Sequence, residues 1–301
     1  MRKKEFSIIK LITIPIAIFF GLVGFAGWMS LPGCACVPAN SVEKIEKPKE
    51  LIAPVETIIP EPPAQKIRVT YITESKEFKH AVLPESEKIL SELGAKNNFE
   101  VTISQDSAKV ITAENLKNID VLIFYTTGEL PWSEEQKTLF LDFVKNGKGF
   151  IGIHSATDTF YKWPEYGNLI GGYFDGHPWT SNIQVAIKKD DKNFALTKQF
   201  PDSFEWLEET YQYKQFNAKD CKVVMSLDIA KTDMTRKGIR GIHAVGDQTN
   251  IKPDSFPLVW YRTYGKGRVF YSEPGHNSSV WNDPRYQAML VSAIKWTAKN
   301  S

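Results

Sequence analysis

The sequence predicts an α/β protein built on a doubly wound, mainly parallel sheet. Three observations carry that prediction. Short β-rich runs alternate with amphipathic helical patterns through residues 66–153, the signature of β-α-β units. The run GFIGI at 149–153 is apolar throughout, as a strand covered on both faces must be. It ends in a small and polar turn, His154-Ser155-Ala156, which is how a central strand delivers side chains to the carboxyl edge where ligands bind.

The elements follow in order. Residues 66–73 alternate and are β-branched, so they form the first strand, and 74–80 are its exit loop. A helix is expected over 84–93, stopped by Gly94. Strands are expected at 99–104 and 118–125. Ser133 and Gln136 form a capping box that opens a helix with Phe140, Phe143 and Val144 on one face. Asn146-Gly147 closes that helix with a left-handed cap. The second half is richer in strands, expected at 182–187, 210–215, 222–227, 257–262 and 268–272. The turn at 264–267 makes the last two an added β-hairpin. Asp283-Pro284 is an N-cap followed by proline at the first helical position, opening a final helix to about residue 298.

Ahead of this domain, at 66–301, lie two different segments. Basic residues Arg2, Lys3, Lys4 and Lys10 precede an apolar run of 21 residues, 11–31. A bilayer-spanning helix needs roughly 20. Residues 1–33 are therefore read as an N-terminal transmembrane anchor or signal, with the basic flank cytoplasmic and the globular domain extracytoplasmic. A second reading stays open, in which residues 31–34 form a lipoprotein cleavage site and Cys34 is the lipidated residue. Residues 34–65 are a linker, with 6 of the chain's 17 prolines falling in 37–65 and no sustained period.

The net charge of +2 and the lack of a basic run in the domain argue against a nucleic-acid partner. Three cysteines, two of them beside the apolar run, do not make a disulfide framework. No Walker, HExxH or CxxC motif occurs. A Gly-x-Ser-x-Gly elbow is also absent, because Ser155 is offset by one and the second glycine is missing.

Histidines are the clearest chemical signal. His80, His154 and His276 each follow a predicted strand, and His177 sits in an aromatic, glycine-rich loop. Carboxyl ends of parallel strands converge, so these rings are expected to share a pocket. Asp158 lies four residues beyond His154, and Glu208-Glu209 follow a tryptophan-rich stretch. A carboxylate beside neutral imidazoles can act as a base, orient a ring or join it on a metal.

These stretches resemble the trehalose-utilisation (ThuA-like) family. The resemblance spans 66–298 and rests on KGFIGIHSA at 148–156 with Asp158 and Tyr161, GGYFDGHP at 171–178, EETY at 208–211, and PLVWYRTYGKGRVFY at 257–271 running into Gly275-His276. It implies a flavodoxin-like fold of the class I glutamine amidotransferase type. That type carries a nucleophilic cysteine where His154 stands, and an imidazole cannot replace a thiolate, so amidotransferase chemistry is excluded. Glu208 stands where the family usually has aspartate, and Thr210 replaces a larger apolar residue.

The resemblance further implies carbohydrate metabolism, with a disaccharide or 3-keto-glycoside as the small-molecule substrate. The expected activity is that of a hydrolase, lyase or isomerase, with a non-catalytic sugar-binding protein as the alternative. His154 and Glu209 are the expected acid/base pair, with Asp158 orienting a histidine. His80, Ser155, Tyr161, Trp163, Trp179 and Tyr211 are expected to bind substrate, the two tryptophans by stacking. A divalent metal is the candidate cofactor, with His154, His177 and His276 as its candidate ligands.

Overall fold

The computed structural model describes residues 65–240, 243–244 and 255–299. The expected anchor, and the linker up to residue 64, lie outside the described residues. The chain divides into two units, Met1–Pro60 and Glu61–Ser301, and every described residue belongs to the second. Among the described residues no helix is long and apolar enough to cross a membrane.

The first half reads β1 (Ile67–Ile72), α1 (Leu83–Lys96), β2 (Phe99–Ser104), short helices α2 (Ser107–Val110) and α3 (Ala113–Leu116), β3 (Val121–Phe124), α4 (Glu134–Lys145) and β4 (Gly149–Ile153). Then come α5 (Pro164–Ile170), β5 (Tyr173–Phe174), β6 (Gln184–Lys189), β7 (Ser203–Leu207), β8 (Tyr213–Phe216), β9 (Lys222–Leu227) and β10 (His243–Ala244). The chain closes with β11 (Pro257–Tyr264), β12 (Gly267–Ser272), α6 (Ser278–Trp281) and α7 (Pro284–Thr297).

The main sheet has nine strands in the order β2-β1-β3-β4-β12-β11-β9-β6-β7. Its first five strands are mutually parallel. They reproduce the 2-1-3-4-5 order of flavodoxin-like sheets, with β12 as the fifth strand. The remaining four pair antiparallel and extend one side of the sheet. A small second sheet is ordered β10-β8-β5.

Alternation along β3 shows how the two faces are filled. Val121, Ile123 and Tyr125 belong to one buried cluster, and Leu122 and Phe124 to the other. Successive side chains point to opposite faces, so a strand with apolar residues at every position needs cover on both. The α7 residues Tyr286, Met289, Leu290, Ala293 and Ile294 join the first cluster, and Phe140, Phe143 and Val144 of α4 join the second. Each such side chain contributes roughly 1.5–3 kcal/mol when fully buried. The Ser133–Gln136 capping box is present, and Asp283 caps α7 by accepting from Arg285 N.

Several element boundaries differ from expectation, three of them instructively. α1 runs through Gly94 to Lys96. Gly94 is there for close packing, since a Cβ would sit 2.5 Å from Cγ2 of Val101 on β2. The expected strand at 182–187 lies instead at 184–189. The expected strand at 210–215 is divided. β7 ends at Leu207, β8 begins at Tyr213, and the chain between them is extended but bonded to loops: Thr210 N donates to Trp179 O at 2.7 Å and Gln212 N to Gly176 O at 2.9 Å. Local alternation cannot tell a ladder from an extended crossing, because the partner is remote in sequence.

Candidate functional site

The parallel strands β1, β4 and β12 end on the same edge of the sheet, and each is followed by a histidine: His80, His154 and His276. The crossing at 208–212 runs over that edge and supplies Glu209. One ligand atom from each of His80, His154, Glu209 and His276 lies within 4.8 Å of the others. The imidazole centroids are 4.9 Å apart for His80–His154 and 5.2 Å for His80–His276 and His154–His276.

His154 occupies the sharpest turn. It has φ +46° and opens a short 3₁₀ turn, His154–Thr157. A positive φ is uncommon away from glycine and is stored where surrounding structure imposes it. The ring is held at both nitrogens. Nδ1 lies 2.9 Å from the backbone oxygen of Glu273, which can only accept, so Nδ1 carries the proton. Nε2 is then a lone pair. It faces Tyr211 Oη at 2.8 Å and Glu209 Oε2 at 3.3 Å.

The same reasoning fixes His276. Asn277 Nδ2 donates to Ser181 O at 2.7 Å and Leu207 O at 2.8 Å, so Asn277 Oδ1 is the atom facing His276 Nδ1 at 3.3 Å. Nδ1 carries the proton there too, and Nε2 turns its lone pair toward Glu209 Oε2 at 3.9 Å. Metal-binding histidines are held in this way, by a second hydrogen bond that sets the tautomer.

Electrostatics agree. Burial, then the charges of His154 and His276, push His80 down to about 2, and its buried Nδ1 has no hydrogen-bond partner among the described residues. Burial lowers His154 against the pull of Glu209. For Glu209 burial acts upward, but the hydrogen bond and charge of His154, with His276 and His177, outweigh it and leave the carboxyl lowered. The two directions compete, since a neutral His154 holds Glu209 down less. The ring of His154 has no exposed side-chain surface, which decides for neutral imidazole. Imidazole nitrogens around a carboxylate form a set suited to a divalent transition metal.

A built frame supports this cluster. Glu208 points away from Glu209 and accepts from three successive backbone N–H groups: Gly275 at 3.2 Å, His276 at 2.5 Å and Asn277 at 3.0 Å. Burial nonetheless pushes its carboxyl up to about 8. Glu273 is fully buried behind His154, accepts from Tyr211 N at 3.2 Å, and is pushed well above the ordinary carboxyl value by burial. Tyr125 donates to Gly275 O at 3.1 Å.

A model of the family described as trehalose utilisation matches residues 68–297. The chain belongs to the trehalose utilisation (ThuA) family. No curated protein matches it. Among solved structures, a ThuA-like protein from Bacteroides uniformis aligns with TM-score 0.60 and 23% identity, over 77% of this chain and 91% of that one. A ThuA-like protein from Parabacteroides merdae aligns with TM-score 0.55 and 18% identity, over 78% and 90%. A Salmonella typhimurium protein described as cytoplasmic aligns with TM-score 0.52 and 12% identity, over 77% and 98%. At these identities the likeness shows the fold.

Within the ThuA fold the expected residues are distributed unevenly. His80, expected among the substrate-binding residues, is a full member of the cluster. Among the expected metal ligands His154 and His276 belong to it, whereas His177 is 44% exposed and reaches it only through Glu209 Oε1, 3.3 Å from its Nδ1. Asp158 accepts from Tyr161 Oη at 2.5 Å, and no histidine hydrogen-bonds to it among the described residues. Ser155 is buried with its hydroxyl unpartnered, and Tyr211 is buried as a support for His154.

Neither tryptophan is placed for stacking. Trp163 is buried against Trp132, Phe160 and Tyr166, and Trp179 is buried against Phe256 with Nε1 donating to Asp233 O. Glu208, Glu273 and Tyr125 carry no local signal. Only their contacts with residues 60 or more positions away along the chain give them a role.

Proposed function

We propose that this ThuA protein is a metal-assisted, sugar-active enzyme acting on a disaccharide or 3-keto-glycoside, with His80, His154, Glu209 and His276 holding a divalent ion of the zinc class. One observation carries the reading: two imidazoles, each tied down at Nδ1, aim Nε2 lone pairs at one carboxylate oxygen. Such electron-rich atoms repel one another, and a cation held between them would remove the repulsion. Donors around a tetrahedral ion at about 2.1 Å stand about 3.4 Å apart, close to the 3.3 and 3.9 Å separations seen here. A simple sugar-binding protein would have no need of this donor set.

The ion would supply Lewis acidity, polarising a substrate carbonyl or hydroxyl. His154, enclosed and with Nδ1 tied to Glu273 O, serves as a ligand through Nε2. The mobile proton falls to His177, whose Nδ1–H is oriented by Glu209 and whose Nε2 is left to act as base. On a 3-keto-glycoside that base takes the acidified proton next to the keto group. The electron pair forms a C=C bond as the glycosidic C–O bond breaks. The departing oxygen takes up a proton, and water then adds to the alkene. The apolar run at 11–31 supports a membrane-tethered, extracytoplasmic location, with lipidation at Cys34 as its alternative.

The test is elemental analysis of the purified full chain, followed by turnover of 3-keto-trehalose and 3-keto-glucosides before and after chelation. One equivalent of metal is expected, with activity lost on chelation and in His154→Ala. A chain that takes up no metal after incubation with zinc or manganese, or a His154→Ala variant with undiminished turnover, removes the proposal.

A further inference from the structure

Three large apolar side chains are exposed among the described residues: Phe78, Ile103 and Leu207. Ile103 and Leu207 lie on β2 and β7, the two outer strands of the main sheet. Phe78 lies elsewhere, on the loop that leaves β1 toward His80. The residue is 63% exposed, and its ring centroid is 4.8 Å from that of His80, edge to face at 82°. His80 itself is buried, so an open aromatic ring stands directly over a member of the donor cluster.

A single exposed apolar residue is ordinary. The support under this one is what sets it apart. Phe78 O accepts from Thr127 Oγ1 at 3.0 Å, Glu77 N donates to the same hydroxyl at 3.4 Å, and Lys76 N donates to Thr127 O at 3.0 Å. Gly128, at φ +76°, makes room for this loop, since a Cβ there would sit 2.8 Å from Glu77 Cγ. The backbone leading into Phe78, and its own carbonyl, are thus fixed while the side chain stays in solvent. Ligand sites are lined by such aromatics, held in place before the ligand arrives.

We propose that Phe78 is the stacking platform for the pyranose ring of the substrate, and so the residue that selects a cyclic sugar with an apolar face at the metal cluster. The inference rests on the sugar-active reading above. Trp163 and Trp179 are buried, which leaves the mouth of the cluster without either tryptophan. Flat apolar area of this kind binds a sugar face through dispersion and water release, and both require a planar side chain.

The experiment uses the metal-loaded full chain and 3-keto-trehalose, comparing Phe78→Leu, Phe78→Ala and Phe78→Trp. Leucine keeps an apolar cover over His80 but has no flat face. The expected result is a KM raised about tenfold in Phe78→Leu and Phe78→Ala, with kcat changed far less, and a KM at or below wild type in Phe78→Trp. Circular dichroism and metal content check that each variant is folded and loaded. An unchanged KM in Phe78→Leu overturns the proposal, because the ring would then be only a cover. So does a loss confined to kcat or to metal content. His154→Ala separates the two claims: if it abolishes turnover while Phe78→Leu matches wild type, the enzyme reading stands and the stacking proposal falls. If wild type turns over no pyranoside, both fall.

Discussion

Glu208→Gln tests whether the loop that carries His276 is held by the Glu208 carboxyl group. The substitution keeps size and shape but exchanges one acceptor oxygen for an NH2 group. Wild-type Glu208 accepts from Gly275 N and His276 N at Oε1 and from Asn277 N at Oε2. A glutamine can satisfy one side only, so an N–H group is left facing an NH2. Losing one hydrogen bond and stranding its donor costs about 1–3 kcal/mol. In a domain of this size each kcal/mol moves Tm by about 2–4 °C, so a fall of about 2–12 °C is expected. A shifted His276 should also weaken metal binding by about tenfold, the lower end for loss of an outer-shell partner.

The pH dependence has a definite sign. Burial raises the folded carboxyl from its ordinary 4.5 to about 8. The folded state therefore holds this proton more tightly than the unfolded state. The Glu208 contribution is fully present below about 4.5 and declines as pH rises through about 8. Glu208→Gln has no such slope. Thermal melts of the metal-free chain from pH 5 to 9 read the slope, and competition with a chromophoric chelator reads the metal Kd. Glu205→Gln, on the exposed side of β7, is the control. A Glu208→Gln variant whose Tm and metal Kd both equal those of wild type refutes the clamp.

Two further outcomes are expected. Asp120 is paired with Arg68 at 2.9 Å and Lys148 at 2.8 Å, and although burial pulls upward, those partners hold its carboxyl well below the ordinary 3.8. Its contribution is present above pH 3.8 and lost as pH falls further, so Asp120→Asn should cost about 1–3 kcal/mol at pH 7 and progressively less toward pH 2, read by urea melts. Gly267→Ala places a Cβ 2.0 Å from Val144 O and 2.6 Å from Lys148 O, both backbone atoms, and should lower stability by about 3 kcal/mol with metal stoichiometry retained in the folded fraction. A melting temperature equal to wild type would contradict it.

The parallel half of the fold was legible because its signals are local. The apolar run of β4, the capping box at Ser133 and the Asp283-Pro284 helix start each act within a few residues. The convergence of His80, His154 and His276 was legible for a related reason: residues that follow parallel strands must emerge at one edge. Residues 210–212 of the crossing read as strand in the sequence, since extension is a local property and pairing is not. His177 and the two tryptophans were placed by composition of their loops, and composition does not say whether a side chain faces solvent, a cluster or the core.

By itself, then, the sequence determined the sheet type, the histidines at its carboxyl edge and the family resemblance. These depend on periodicity and on short motifs, where neighbours in the chain are neighbours in space. Only the tertiary structure decided which carboxylate meets which imidazole, that Glu208 grips the His276 loop while Glu209 turns inward, and that Phe78 rather than a tryptophan stands open beside the cluster. Those relations depend on distances and hydrogen bonds between groups brought together by folding, and no local stretch of chain encodes them.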